Sequence, residues 1–435
     1  MVVLAYSYVD TWCWYPKTTI ALILILGYLS FVRALRWRRY REVHHKYAGR
    51  IHSLTPAEAQ QIIHLSSQWD TPALVTIALS FALFKTYAIP SISDLLFRTR
   101  QLGAKENVSR RYTDTEILIS TWVTCPISGK FNFAGPSEKG EDFDPRCAIA
   151  IARTNWLHSK YDISNDDYLY TLCLFIFEPI NWIARYGWRE LSELEKQAYY
   201  VFWVEVGNRM GIKDIPESLE DLERWSLKYE EGYMVPAATN HAVAQLTVDE
   251  LLCFAPEKYG IKNFLQRIVV CLLETRVRVA MIYEEQPWYL HLLAMGATQV
   301  AALFQRHCLL PRRAPSLFVK YDTPKPKDGS EPRMHPSRYA QRPWYKPKQR
   351  GFGAFIEKFT VTIGLVRPED VALPRNKCRG YRLEELGPER FEHSGHEETM
   401  RIAAELQGCP VTGPWSLRPR PHHHSRSASA SRASL

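Results

Sequence analysis

Seven long, dense apolar stretches dominate the chain, at residues 71–88, 114–125, 146–161, 165–186, 193–210, 262–284 and 287–308. Most are longer than strands usually run, and apolar segments of this kind read as helices buried in a large bundle. Helix-start signals recur among them. Thr55-Pro56-Ala57-Glu58 has the capping-box spacing with proline at the first helical position. Ser164 before Asp167, Ser192 before Glu195 and Thr247 before Glu250 repeat the pattern. The 193–210 helix should stop at Gly211, and Pro179 should kink the 165–186 helix. Alternating strand patterns are scarce, VTIGLV at 361–366 being the best. The expected fold is all-α, with residues 51–311 as one multi-helix domain.

One further apolar run differs in kind. Residues 18–32, TTIALILILGYLSFV, carry no charge. With Trp12, Trp14 and Tyr15 on one side and snorkelling Lys17 and Arg33, the span extends over 18–35. Seven Lys/Arg and one Glu follow between Arg33 and Arg50. A secretory signal would place its positive charge before the apolar run. The order here predicts an uncleaved anchor, with residues 1–17 lumenal, 36–50 a basic collar and everything beyond in the cytosol. Asn107-Val108-Ser109 is a glycosylation sequon that cytosolic placement would leave unmodified.

The rest of the chain is organised by composition. Residues 312–350 form a proline-rich basic arm, 351–415 a C-terminal extension with a short helix near Glu397–Gln407, and 416–435 a low-complexity tail. With 46% apolar residues the chain is neither disordered nor fibrous. Its nine cysteines are scattered without a CxxC pair, which reads as free thiols rather than a disulfide or zinc framework. The net charge of +9 is unevenly held. Residues 312–350 carry eleven basic and three acidic residues, and 416–435 four and none. Outside these segments and residues 33–50, acidic residues outnumber basic ones by nine. The positive balance therefore belongs to anchoring and to loose segments, and no nucleic-acid partner is expected.

No phosphate loop, dinucleotide fingerprint or nucleophile elbow is present. Within the helical domain, His158 ends a helix whose shared face includes Ile151, Thr154, Asn155 and Tyr161. A neutral imidazole there suits a haem iron or a satisfied core position. Arg111 and Thr115 share a helix face at i, i+4. The guanidinium suits a carboxylate or a haem propionate, and the hydroxyl suits bound oxygen or water. A surface pair of Arg111 with Asp114 or Glu116, and Thr113 as a helix cap, remain open. His393, His396 and Glu397, and the His422–His424 triplet, read as solvated histidines.

Longer phrases carry a resemblance. RRYTDTEILISTWVTCPISG, ARTNWLHSKYDISNDDYLYTL, the stretch EPINWIARYGWRELSELEKQAYYVFWVEVGNRMGIKDIPESLEDLERW and YMVPAATN, together about 110–240, and more weakly GYRLEELGPERFE at 380–392, resemble the family of MpaB-type ER-bound oxygenases and, more distantly, rubber oxygenase. The resemblance implies a globin-like multi-helix bundle around one b-type haem, with His158 as axial ligand and Arg111 and Thr115 close to the haem. It implies O2-dependent cleavage of a C=C bond in an apolar, isoprenoid-like chain at the endoplasmic reticulum membrane. Rubber oxygenase has a lysine where this chain has Asp114, so a lysine-capped iron is not expected. Two other readings compete: a haem-free, membrane-tethered scaffold, and a metal- or acid/base-dependent hydrolase using His158 with Asp162 or Asp166.

Overall fold

The computed structural model describes residues 7–130, 143–322, 331–339, 342–363, 371 and 374–417. The chain is a succession of helices. The first five are α1 Ser7–Arg36, α2 Arg38–Lys46, α3 Pro56–His64, α4 Pro72–Thr86 and α5 Pro90–Arg98. Then come α6 Lys105–Thr124, α7 Arg146–His158, α8 Asn165–Tyr186, α9 Glu193–Arg209, α10 Leu219–Tyr233 and α11 Ala238–Leu251. The last are α12 Ile261–Cys271, α13 Thr275–Ala280, α14 Trp288–His307, α15 Phe352–Thr362 and α16 His396–Gln407. No strand occurs among the described residues, only two isolated bridges. The fold is all-α.

Local chemistry explains the boundaries. Thr55 and Ser192 both form complete capping boxes, with Glu58 and Glu195. Ser164 accepts from the Asp167 amide to open α8, which continues through Pro179 to Gly187. Past α9 the chain turns at Gly211, whose φ of +78° suits a residue without a Cβ.

Three expectations fail for identifiable reasons. Thr247 starts nothing: it lies inside α11 and its hydroxyl donates to the Val243 carbonyl one turn back. The 262–284 stretch is two helices, α12 and α13, with Ile282 in the left-handed region beyond them. Thr113 is no cap, because α6 begins at Lys105, well before it. Val361 and Thr362, which open the alternating VTIGLV pattern, belong to α15; residues 364–366, like His422–His424, lie outside the described residues.

Helix α8 is central, packing on α4, α9, α10 and α14. Helices α6 and α16 flank α7, which is buried without interruption from Arg146 to Thr154. One hydrophobic cluster runs from Tyr47 to Trp415. The C-terminal extension therefore shares the core. Buried Arg153 fastens it, donating to the carbonyls of Leu386, Phe391 and Ser394 at 2.7–2.8 Å. Helix α1 is exposed along its apolar run and meets the domain at α14. It is long and apolar enough to cross a membrane, and side chains such as Ile23 and Leu24 are 63% and 67% exposed.

Candidate functional site

Helices α4 to α9 enclose an apolar cavity of about 290 Å³. Leu83, Tyr87, Ile92 and Leu96 come from α4, α5 and the turn between them, Leu118, Ile119 and Trp122 from α6, and Leu172, Phe175 and Trp203 from α8 and α9. Pro388 of the C-terminal extension completes the wall. Phe175 and Trp203 stack at 4.8 Å, and Trp122 meets Trp203 edge-on at 6.4 Å, so the floor is a rigid aromatic cluster.

The cavity brings His158, Arg111 and Thr115 together. Thr154 and Tyr161, expected on the His158 face, also line it. Asn155 does not; its amide donates to the Arg209 carbonyl at 2.9 Å. Tyr168 lies against His158, the ring centroids 5.6 Å apart. His158 Nδ1 is buried and has no hydrogen-bond partner. Burial, then the Arg111 charge, push the imidazole down to about 4. At neutral pH the ring is unprotonated and holds a lone pair.

Arg111 is held by a buried carboxylate. Its Nη1 donates to Asp114 Oδ2 at 2.9 Å, and Asp114 has no solvent exposure. The pairing expected at the surface thus occurs inside. Asp114 also accepts from the Tyr345 hydroxyl at 2.6 Å and from the Gly387 amide at 3.2 Å. It does not line the cavity. One carboxylate therefore ties Arg111 to the segment that carries Pro388. Thr115 donates its hydroxyl proton to the Arg111 carbonyl at 2.8 Å, leaving oxygen lone pairs for a donor.

Asp162 and Asp166, the partners a hydrolase would need, are exposed and outside the cavity wall. No group of three or more His, Cys, Asp or Glu able to hold a metal occurs among the described residues. The aromatic floor was missed in the sequence, although continuing the Arg111–Thr115 stripe by helical spacing reaches Leu118, Ile119 and Trp122. Pro388 had no spacing signal, only its place in the weakly similar phrase at 380–392.

An apolar cavity in an all-α protein, with a neutral histidine and an anchored arginine in its wall, is the kind of site in which helical bundles take up small molecules. Comparison with known proteins narrows this. Residues 152–304 match the family described as ER-bound oxygenase mpaB/B'/Rubber oxygenase, catalytic domain. The chain is 30% identical over 411 residues to ER-bound oxygenase mpaB' of Penicillium brevicompactum, covering 88% of this chain and 90% of that protein. It is 34% identical over 283 residues to ER-bound oxygenase mpaB of Penicillium roqueforti, covering 60% and 89%. The chain belongs to this oxygenase family. His158 lies inside the matched residues; Arg111 and Thr115 precede them.

Proposed function

We propose that this chain is a membrane-anchored, haem-dependent oxygenase that cleaves a C=C bond in an isoprenoid-like apolar chain. The observation that carries the reading is His158. An unprotonated imidazole in the wall of an apolar cavity, with a buried nitrogen that no protein group partners, calls for a partner from outside the chain. The residues present fit a b-type haem. His158 would hold the iron, and Arg111, steadied by Asp114, would pair with a propionate. When bound, haem supplies the redox chemistry with O2 that side chains lack.

The chain's own residues do the rest. The cavity wall takes up the alkene and excludes water. Depression of the His158 pKa keeps a proton from competing for its lone pair. Asp114 holds Arg111 at the wall, and Thr115 offers its oxygen to a hydrogen-bond donor there. An apolar substrate partitions into membrane, so an anchor brings enzyme and substrate together.

Three observations support placement at the endoplasmic reticulum with the domain in the cytosol: relatives named ER-bound, the exposed α1, and the basic collar at 36–50. Asn107 reports poorly on orientation, because it sits on α6 with its amide donating to the Arg100 carbonyl. Protease digestion of intact microsomes reports better: a cytosolic domain is degraded and a lumenal one protected. For the reaction, purified protein in lipid is given a polyunsaturated isoprenoid under air or argon, and aldehydes and ketones are trapped with a hydrazine. Carbonyl products that require both air and protein support the proposal, and equal yields under argon sink it.

A further inference from the structure

Beyond α1, helix α14 leaves a long apolar surface uncovered. From Trp288 to Gln305 it contains no Asp, Glu, Lys or Arg. One side of the helix faces the protein: Leu290, Ala294 and Ala302 are buried, and Gln305 donates to the Asp70 carbonyl. The other side is bare. Leu292, Val300 and Leu303 are 62%, 67% and 56% exposed, Phe304 is 54%, and Trp288 at the start is 73%. These positions fall on one helical stripe. A folded domain in water rarely leaves such a stripe open unless something covers it.

The neighbouring contacts say what covers it. The C-terminal end of α14 meets α1. Tyr28 donates its hydroxyl to the Cys308 carbonyl at 2.7 Å, and Arg36 donates to the Leu309 carbonyl. Arg39 reaches the Arg312 carbonyl at 3.2 Å. Tyr28 lies inside the uncharged run, five residues before Arg33. At a rise of 1.5 Å per residue it sits ~8 Å deeper along α1 than Arg33. Interfacial helices lie with their apolar face about 5–10 Å into the headgroup boundary. The end of α14 is therefore held at that depth by the anchor. Exposed Arg33 and Arg38 lie on α1 and α2 beside Arg36 and Arg39, which contact the segment carrying exposed Arg312 and Arg313, a charge pattern that complements anionic headgroups. Trp288 and Tyr289 supply interfacial aromatics at the far end.

We infer that α14 lies in the membrane interface as a second, monotopic contact, its stripe from Trp288 to Phe304 covered by phospholipid. The inference rests on the reading of α1 as a bilayer anchor, and extends it: the domain is fixed against the surface at two places and cannot swing freely about the collar.

The test uses the full chain and Trp288→Phe, each reconstituted in nanodiscs of mixed zwitterionic and anionic phospholipid. The difference between their emission spectra isolates Trp288. With lipid brominated near the headgroup end of the acyl chain, that difference signal loses most of its intensity, and aqueous acrylamide scarcely quenches it. Protein that enters the discs but leaves Trp288 open to acrylamide and untouched by bromine overturns the inference while the anchor reading stands. Shielding from both quenchers also overturns it, because a second copy or another protein then covers the stripe. Protein that fails to enter the discs overturns the anchor reading and this one together.

Discussion

Replacing Asp114 by alanine should damage the fold more than any other single change near the cavity that leaves its lining residues untouched. The carboxylate is fully buried, pairs with Arg111 at 2.9 Å, and accepts from Tyr345 and from the Gly387 amide. The Arg110 Nε lies 3.7 Å away and is itself buried without a hydrogen-bond partner. Deleting one member of a buried pair leaves uncompensated charge and costs about 3–5 kcal/mol. Asp114→Asn keeps an acceptor for Tyr345 but gives up the charge. Hydrogen bonds to charged groups are worth about 1.5–3 kcal/mol and neutral ones about 1, so the asparagine should cost about 2–3 kcal/mol. Tyr345→Phe removes one hydrogen bond and should cost about 1 kcal/mol, more if the carboxylate is left short of a donor. Urea unfolding of the three variants in detergent gives the order directly. An Asp114→Ala protein within about 0.5 kcal/mol of the parent would refute the account of the buried network, since that is the range of an inconsequential surface change.

Three further outcomes are expected. Burial pushes the Glu116 carboxyl up to about 7, outweighing the Arg338 charge. Its protonated form suits the fold, so stability is complete below the ordinary carboxylate pKa and falls as pH rises towards 7. Glu116→Gln should therefore stabilise the protein by up to about 3 kcal/mol at pH 8 and by almost nothing at pH 4, read from urea midpoints at the two values. His64, buried with its ring donating to the Val123 carbonyl, is pushed by burial down to about 4. Stability from this residue is present above its ordinary pKa and lost as pH falls from 6.5 towards 4, by up to about 3 kcal/mol, and His64→Gln should flatten that acid limb. A Cβ on Gly395, whose φ is +72°, would come within 2.0 Å of the Trp156 ring, whereas one on Gly408 at φ +76° meets nothing. Gly395→Ala should cost about 3 kcal/mol or more, and Gly408→Ala about 1–2, in the same unfolding assay.

Short-range physics made much of this structure legible in advance. The start of α8 at Ser164 was legible because a serine oxygen and an amide three residues on form a local bond that needs no tertiary context. The same logic misled at Thr247, where the Thr-x-x-Glu spacing sits in mid-helix and the hydroxyl bonds backwards instead. Continuous apolarity hid the break between α12 and α13, since periodicity does not register a change of direction. Of the site, His158, Arg111 and Thr115 were visible as helix faces, and the structure brings all three to one wall. The role of Asp114 was not visible. Its partners Tyr345 and Gly387 lie 231 and 273 residues away, and Arg153 reaches Leu386 across 233. Those contacts turn the C-terminal extension from an appendage into part of the cavity wall, and nothing local to either segment encodes them.

The central claim is that His158 holds haem iron in the apolar cavity. Absorption spectra of the purified chain and of His158→Ala, oxidised, dithionite-reduced and with carbon monoxide, test it most directly. The account predicts a Soret band in the parent that shifts on reduction and with carbon monoxide, and its loss or displacement in His158→Ala while Thr115→Ala retains it. A His158→Ala protein with full haem content and an unchanged Soret band, or a parent with no Soret band after haem supplementation, would contradict it.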